Sequence, residues 1–388
     1  MKLTRTAMIV SALFATGAHA GGITLPEIAT FDSVSSAGIA NATNRTDASA
    51  MATSPAGLAS VKDYSFSVGA SFLDAASAHS GYLYNPESDK YDIYTTTRGK
   101  KRKLIPSAAY AKRINDQVVL GVSVHGEGGL GLDYSNGLMG GGIYDEQAVE
   151  FINFNFGGSY QVNDKFTLGA AVIAQYMEAE IKTNDVAGLG RVNADDNSVE
   201  PTFMLSAMYD FTPDTYIAVN YKHAAKHKIH LQGVGDKEFK YPSILTVGLS
   251  HQFDENWGIK LQTGFEEWKE YGKGDKIVGI KDGREMNNVY HLGAAVNYTD
   301  GNMKYQAGAR WDSKSMNASD AESDLPLVEQ YAIGAGLEYT MSNGHRVGLA
   351  YEYRDLGTPT VAYDFGIIDY QGKMTSHRLH WLSLSYAY

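Results

Sequence analysis

Apolar and polar residues alternate with a period of two along fourteen runs of this chain, near residues 64–74, 103–114, 117–126, 147–162, 165–181, 201–211, 215–232, 240–253, 257–270, 288–299, 302–313, 327–341, 345–356 and 374–388. That period belongs to a pleated strand, whose successive side chains point to opposite faces. In the fourth run Ile152, Phe154, Phe156, Tyr160 and Val162 share one face, with Asn153, Asn155, Ser159 and Gln161 opposite. The eleventh sets Met303, Tyr305, Ala307, Ala309 and Trp311 against Lys304, Gln306, Arg310 and Asp312. In the twelfth Tyr331, Ile333, Leu337 and Tyr339 oppose Gln330 and Glu338, and in the thirteenth Val347, Leu349, Tyr351 and Tyr353 oppose Arg346, Glu352 and Arg354.

The connections between runs are of two kinds that alternate. Six are tight and polar: Ile114-Asn115-Asp116, Asn163-Asp164, Pro213-Asp214, Asp254-Glu255-Asn256, Asp300-Gly301 and Ser342-Asn343-Gly344. Seven are long, near 75–102, 127–146, 183–199, 233–239, 272–287, 316–325 and 358–372. Short turns at one end, long loops at the other and an even strand count are the connectivity of an outer-membrane barrel. The pattern predicts an all-β fold: a 14-stranded antiparallel transmembrane β-barrel. An Arg or Lys facing lipid at mid-membrane costs roughly 2–4 kcal/mol, so Lys260, Arg310 and Arg354 are expected to face the lumen. There Glu266, Glu338 and Glu352 can pair with them. Such charges either only satisfy one another, or some of them line a solute path or anchor a plug.

The ends and the composition fit this reading. Lys2 and Arg5, an apolar stretch from Ala7 to Ala15, and Ala18-His19-Ala20 form the pattern of an export signal over residues 1–20. No later stretch approaches the ~18 uninterrupted apolar residues of a membrane helix. The mean hydropathy of −0.27 does not argue for a soluble protein, because every second residue of a barrel strand faces a polar lumen. The 26 tyrosines suit interfacial girdles, and 41 glycines with 9 prolines suit strands and turns. There are no cysteines. Losing Lys2 and Arg5 takes the net charge from −11 to −13, which argues against a nucleic-acid partner. The last run ends Leu382-Ser383-Leu384-Ser385-Tyr386-Ala387-Tyr388, similar to the C-terminal assembly signal of outer-membrane barrels, with Tyr388 in place of the usual Phe.

Residues 21–62 carry no strand pattern, and residues 63–388 are expected to form the barrel. The stretches Ala37-Gly38-Ile39-Ala40-Asn41-Ala42, Asp47-Ala48-Ser49-Ala50 and Ser54-Pro55-Ala56-Gly57-Leu58 suggest short helices and turns, with Asp47 as a cap and Pro55 as a stop. A compact segment of small residues ahead of a barrel has its natural place in the lumen, as a hatch.

On these residues the chain resembles the FadL/TodX family of hydrophobic-compound transporters. Gly21-Gly22-Ile23-Thr24-Leu25-Pro26-Glu27 matches the family's mature N-terminus, and Asp47-Ala48-Ser49 with Ser54-Pro55-Ala56-Gly57 matches its hatch motif, with Ser54 where Asn is usual. The likeness continues through Ile114-Asn115-Asp116-Gln117, Tyr160-Gln161-Val162-Asn163-Asp164, Phe265-Glu266-Glu267-Trp268 and the closing strand. It implies a monomeric barrel of fourteen strands, a lumenal hatch, and passive uptake of hydrophobic molecules, with long-chain fatty acids the best-known substrates. It also implies that Ile23 touches the substrate pocket and that the third strand kinks inward, opening the wall sideways. Gly126, Gly128 and Gly129 stand where that strand ends, and glycines permit such a bend.

Other clusters carry less. Lys222, His223, Lys226, His227, Lys228 and His230 lie toward the outer end of the seventh run, and Arg98, Lys100, Lys101, Arg102 and Lys103 at the end of the first long loop. Mismatched parity and the lack of an interleaved carboxylate argue against a metal site in the first. Both are expected to be solvated loop ends or a basic rim that meets lipopolysaccharide phosphates. No nucleophile elbow, catalytic set or cofactor motif is legible, so no enzyme activity is expected, and movement of cargo follows its gradient. The alternatives are a surface-binding or structural barrel (an adhesin or phage receptor) and a general porin for small polar solutes.

Overall fold

The computed structural model describes residues 24–133, 144–183, 193–231, 235–270, 286–316, 328–364 and 369–388. The export-signal stretch, Ile23 and much of the expected long loops lie outside them. The strands are β1 (Tyr64–Asn85), β2 (Lys90–Arg113), β3 (Val118–Asp133), β4 (Tyr144–Asn163), β5 (Phe166–Thr183), β6 (Asn193–Thr212), β7 (Thr215–Lys222), β8 (Ala225–Leu231), β9 (Gly235–Tyr241), β10 (Ile244–Gln252), β11 (Trp257–Glu266), β12 (Val289–Asp300), β13 (Met303–Asp312), β14 (Gln330–Thr340), β15 (Arg346–Asp355), β16 (Thr360–Asp364) and β17 (Asp369–Ala387). Strands β1 to β7, β10 to β15 and β17 pair in order, and β17 pairs back onto β1, closing a 14-stranded antiparallel barrel.

The tight turns are built by their Asx residues. The Asn115 carboxamide oxygen accepts from the amides of Gln117 and Val118, both at 2.9 Å, and Asn163 does the same for Lys165 and Phe166 at 2.9 and 3.0 Å. Asp254 accepts from Trp257 and Asn256 at 2.8 Å each, and these two amides hold its carboxyl below the usual range. Facing follows the alternation: Phe156, Ile333 and Leu384 point to lipid, while Asn153, Asn155, Gln306, Arg310 and Arg354 are buried inside.

Several boundaries differ from expectation: β3 reaches Asp133 and β6 starts at Asn193, both inside expected loops, and three further differences are larger. The first long loop, 75–102, is mostly strand, since β1 and β2 pair as far as Asn85 and Lys90. The seventh and eighth runs each divide: β7 and β10 form the wall, while β8 and β9 leave it as a separate two-stranded hairpin. That hairpin turns inward, burying Ala225, Ile229, Phe239 and Tyr241 against Val149, Phe151, Met177 and Trp268. Finally, β16 pairs with the outer part of β17, inside the expected last loop.

Residues 24–63 fill the lumen with a five-residue helix (Phe31–Ser35), a four-residue helix (Ala50–Thr53) and two 3-10 turns (Ile39–Asn41, Pro55–Ser60). Irregular backbone at membrane depth needs internal hydrogen-bond partners, and inward polar residues of the wall supply them. Ser385 Oγ accepts from the Phe31 amide at 3.1 Å, Gln262 from Ala42 at 3.2 Å and Ser206 Oγ from Ala56 at 2.7 Å. Asn220 donates to the Ala42 carbonyl at 3.0 Å, and Asn155 to that of Met51 at 3.2 Å. Inward glycines let the backbones meet: an added Cβ at Gly169 would lie 2.2 Å from the Ala56 nitrogen. Ion pairs lock the periphery, Asp32 to Lys304 at 2.6 Å, Arg45 to Asp210 at 2.7 Å and Asp47 to Arg346 at 2.6 Å. Pro55 opens a 3-10 turn rather than simply ending a helix, and Asp47 caps the turn ahead of the second helix by accepting from the Ser49 amide at 2.8 Å.

Candidate functional site

The wall is split beside the hatch's leading edge. Strands β2 and β3 pair only from Arg113–Val119 to Ser107–His125. Beyond that, among the described residues, β2 continues along β1 alone, and β3 pairs with β4 and, at Gly128, with the single residue Thr24. The split begins at a β-bulge in β3, where Gly126 stands opposite Ile152, Gly128 opposite Phe151, and Glu127 is the extra residue. Gly128 has φ of 152°, a value that L side chains rarely adopt, so glycine is required there. A bulge frees one residue from the ladder, and the freed residue here is a carboxylate.

Glu127 organises its surroundings. Its carboxylate forms an ion pair with buried Lys222 and accepts from Asn153 and from Gln175, the last at 2.8 Å. Its carbonyl accepts from the Leu25 amide at 3.3 Å and from the Tyr241 hydroxyl at 3.1 Å. Thr24 bridges to Gly128 in strand fashion and donates to Glu266 at 2.7 Å. Residues 24 and 25 are therefore a strap laid on the broken strand. Tyr241 comes from the inward hairpin, with its ring 4.3 Å from the Lys222 ammonium and 4.7 Å from the Phe151 ring. The same hairpin is held by His227, which contacts Ser198 at 2.7 Å and Gln175 at 3.1 Å.

Two cavities meet at the strap. The lumenal one, about 100 Å³, lies between hatch and hairpin and mixes apolar residues (Leu25, Pro26, Ile28, Met204, Ile244) with Lys222, Glu266 and Arg310. The other, about 20 Å³, lies in the split and is lined by Leu25, Leu104, Ile105, Gly126, Gly128 and Trp381, among others. Leu25 and Gly126 line both.

The residues singled out from sequence fall into separate places. Gly126 and Gly128 flank the bulge, and Gly129 pairs with Glu150 just beyond it. Asp47, Ser54, Pro55 and Ala56 are buried in the hatch, away from the lumenal cavity. Lys260, Glu266, Arg310, Glu338, Glu352 and Arg354 all face inward. Arg310 meets Glu266 at 3.5 Å, Arg346 meets Glu338 at 3.6 Å, and Arg354 joins Glu352 at 3.0 Å and hatch residue Glu27. Only Glu266 and Arg310 of these six reach the lumenal cavity. The basic run of the seventh strand does not form one outer rim: Lys222 and His227 are buried in the lumen, while His223, Lys226, Lys228 and His230 are exposed. Sequence reasoning passed over Glu127, Lys222 and Tyr241 as site residues. The available signal was a lone carboxylate within Gly126-Glu127-Gly128-Gly129.

A closed barrel with a plug in its lumen and a break in its β2–β3 ladder beside that plug fits a class, that of outer-membrane channels for hydrophobic compounds. The chain belongs to the outer membrane protein transport protein family (OMPP1/FadL/TodX), whose sequence model matches residues 11–376. It is 24% identical over 383 residues to outer membrane protein P1 of Haemophilus influenzae, covering 90% of this chain and 80% of that protein. It is 21% identical over 411 residues to a long-chain fatty acid transport protein of Salmonella typhi, covering 90% and 91%. Among solved structures, a Pseudomonas aeruginosa FadL homologue superposes with a TM-score of 0.81 at 16% identity, covering 95% of this chain and 99% of that one. The Pseudomonas putida toluene transporter TodX gives 0.61 at 15% identity, covering 88% and 94%. The protein is thus an outer-membrane transporter of hydrophobic compounds, from a family of transport channels rather than enzymes.

Proposed function

We propose that the protein carries long-chain fatty acids passively from the lumenal cavity, past the strap, and out sideways between β2 and β3. The observation that carries this reading is that Leu25 and Gly126 border both cavities, so a small shift of the strap joins them. Each CH₂ kept out of water is worth ~0.8 kcal/mol, so an acyl chain favours a route lined by Leu25, Ile105 and Trp381 over a watery pore. Lys222 and Arg310 offer cations to a carboxylate, in competition with Glu127 and Glu266. The names of the fatty-acid relatives support the same cargo.

In this reading residues 1–20 are the export signal, 21–62 the hatch and 63–388 the barrel, and the protein works as a monomer without cofactor or catalysis. Ile23 touches the pocket, and Asp47, Ser54, Pro55 and Ala56 keep the hatch seated. The outer rim meets lipopolysaccharide. The test is uptake of labelled oleate by cells lacking their own transporter. Expression of this protein is expected to restore uptake, with little ion conductance in planar bilayers. Restored toluene uptake without oleate uptake would remove fatty acids as the substrate. Large conductance would favour a porin.

A further inference from the structure

Outside the wall, just above the lipid-facing band, lies a basic patch that the transport route does not use. It spans β2, β1 and β17, whose registers align in rows. In the apolar row just below it Phe72 stands between Leu104 and Leu382, all three exposed. One outward row higher Asp74 stands between Arg102 and His380, then Ala76 between Lys100 and Arg378, Ala78 between Arg98 and Ser376, and Ser80 between Thr96 and Lys373. Arg98, Lys100, Arg102, Lys373 and Arg378 are all exposed. Asp74 lies 3.3 Å from Arg102 and 3.5 Å from Lys100, and Asp355 pairs in register with Arg378. His380 is engaged by the Tyr351 hydroxyl at 2.7 Å.

Five cations against two carboxylates leave a positive patch on a chain whose net charge is −11. The column Ala76, Ala78, Ser80 is small, so the patch is a trough with cations on both banks. Its banks are two strand spacings apart, roughly 9.6 Å, wide enough for one phosphorylated sugar. Guanidinium groups hold phosphate with two parallel hydrogen bonds. Directly below, Val68, Phe72, Leu104, Leu382 and Leu384 offer apolar surface at lipid depth. A soluble anion would use the charges and leave that apolar surface unused; an anionic lipid uses both.

We propose that this trough binds a phosphorylated glycolipid of the outer leaflet, its phosphate groups held by Arg98, Lys100 and Arg378 and its acyl chains along Phe72, Leu104 and Leu382. The site rests on the reading that the outer rim meets lipopolysaccharide, and it gives that contact a single address. It also fixes the barrel's height in the membrane, because the charged rows follow the apolar row without a gap.

The test is native mass spectrometry of the full mature chain in detergent, titrated with diphosphoryl lipid A, with the same lipid after removal of its phosphates, and with inorganic phosphate. The wild-type protein is expected to retain diphosphoryl lipid A in preference to the other two. A charge near an anionic lipid surface is worth about fivefold in binding, so Arg98→Ala/Lys100→Ala/Arg378→Ala should weaken retention by about 10²-fold. Heat-modifiable gel mobility reports that this variant is folded, and Lys226→Ala/Lys228→Ala, on the exposed face of β8, should retain the lipid like wild type. Equal retention by the triple variant, equal retention of the dephosphorylated lipid, or competition by inorganic phosphate at matched concentration would overturn the proposal. Oleate uptake by the same cells separates the two readings. Lost uptake with lipid retention intact would overturn only the transport reading, and intact uptake without retention only this one.

Discussion

Replacing Lys222 with methionine would test whether the Glu127 junction holds the strap closed. The two side chains are 3% and 13% exposed, and the ammonium also lies over the Tyr241 ring. Breaking a buried ion pair by removing one partner costs about 3–5 kcal/mol. Glu127 keeps its contacts with Asn153 and Gln175, and the adjoining cavity can admit water, so the lower end of that range applies. If the strap opens with this junction, about 3 kcal/mol corresponds to roughly 10²-fold faster hydrogen exchange at the Leu25 amide. The Val34 amide, bonded to the Thr30 carbonyl at 3.2 Å inside the hatch, serves as the internal control and should not change. A double variant, Glu127→Gln/Lys222→Met, should recover most of the protection, because no charge is then left unpaired. Unchanged exchange at Leu25 in a folded Lys222→Met barrel would refute the argument.

Three further outcomes follow from the same contacts. Burial, with a smaller contribution from the Lys222 charge, pulls the His227 imidazole from 6.5 down to about 4. The swung-out hairpin therefore takes up a proton first, and closure weakens as pH falls from 6.5 through 4, by at most about 3 kcal/mol. Protection factors of the β8 amides, taken relative to intrinsic exchange at each pH, should fall as pH drops over that range, and His227→Gln should flatten the dependence; constant wild-type protection factors would contradict it. Gly169→Leu should unseat the hatch at Ala56 and raise conductance in planar bilayers, while unchanged conductance would mean that the hatch adapts. Arg346→Ala leaves Asp47 and Glu338 without their shared cation and should loosen the hatch by about 3 kcal/mol, read as a lower temperature for its exchange of the Ser49 and Ala50 amides.

The barrel was legible because its lumen is polar. Inward Asn155, Gln306 and Arg310 alternate with outward Phe156, Tyr305 and Trp311, so membrane and interior impose opposite chemistry on neighbouring positions. The signal fails where lipid ends. Above Phe72 the outward residues become Asp74, Ala76, Ala78 and Ser80, and the outer halves of β1 and β2 read as loop although they stay paired. The departure of β8 from the wall follows His223-Ala224, with neither glycine nor proline to announce it. Lys222 sits in a basic run that reads as an outer rim, and nothing in the sequence joins it to Glu127, 95 residues away. The hatch was recognisable from its motif, whereas its seating on Ser206, Gln262 and Ser385 depends on long-range register.

The route of the cargo is tested most directly by a photoactivatable fatty acid cross-linked during uptake, with the adducts mapped by peptide mass spectrometry. Passage through the split wall predicts labels on Leu25, Ile105 and Trp381, which line the gap. Labels on Arg45, Ser60 and Asp63, at the far edge of the hatch, would instead mean passage straight through the plug, and would contradict sideways exit.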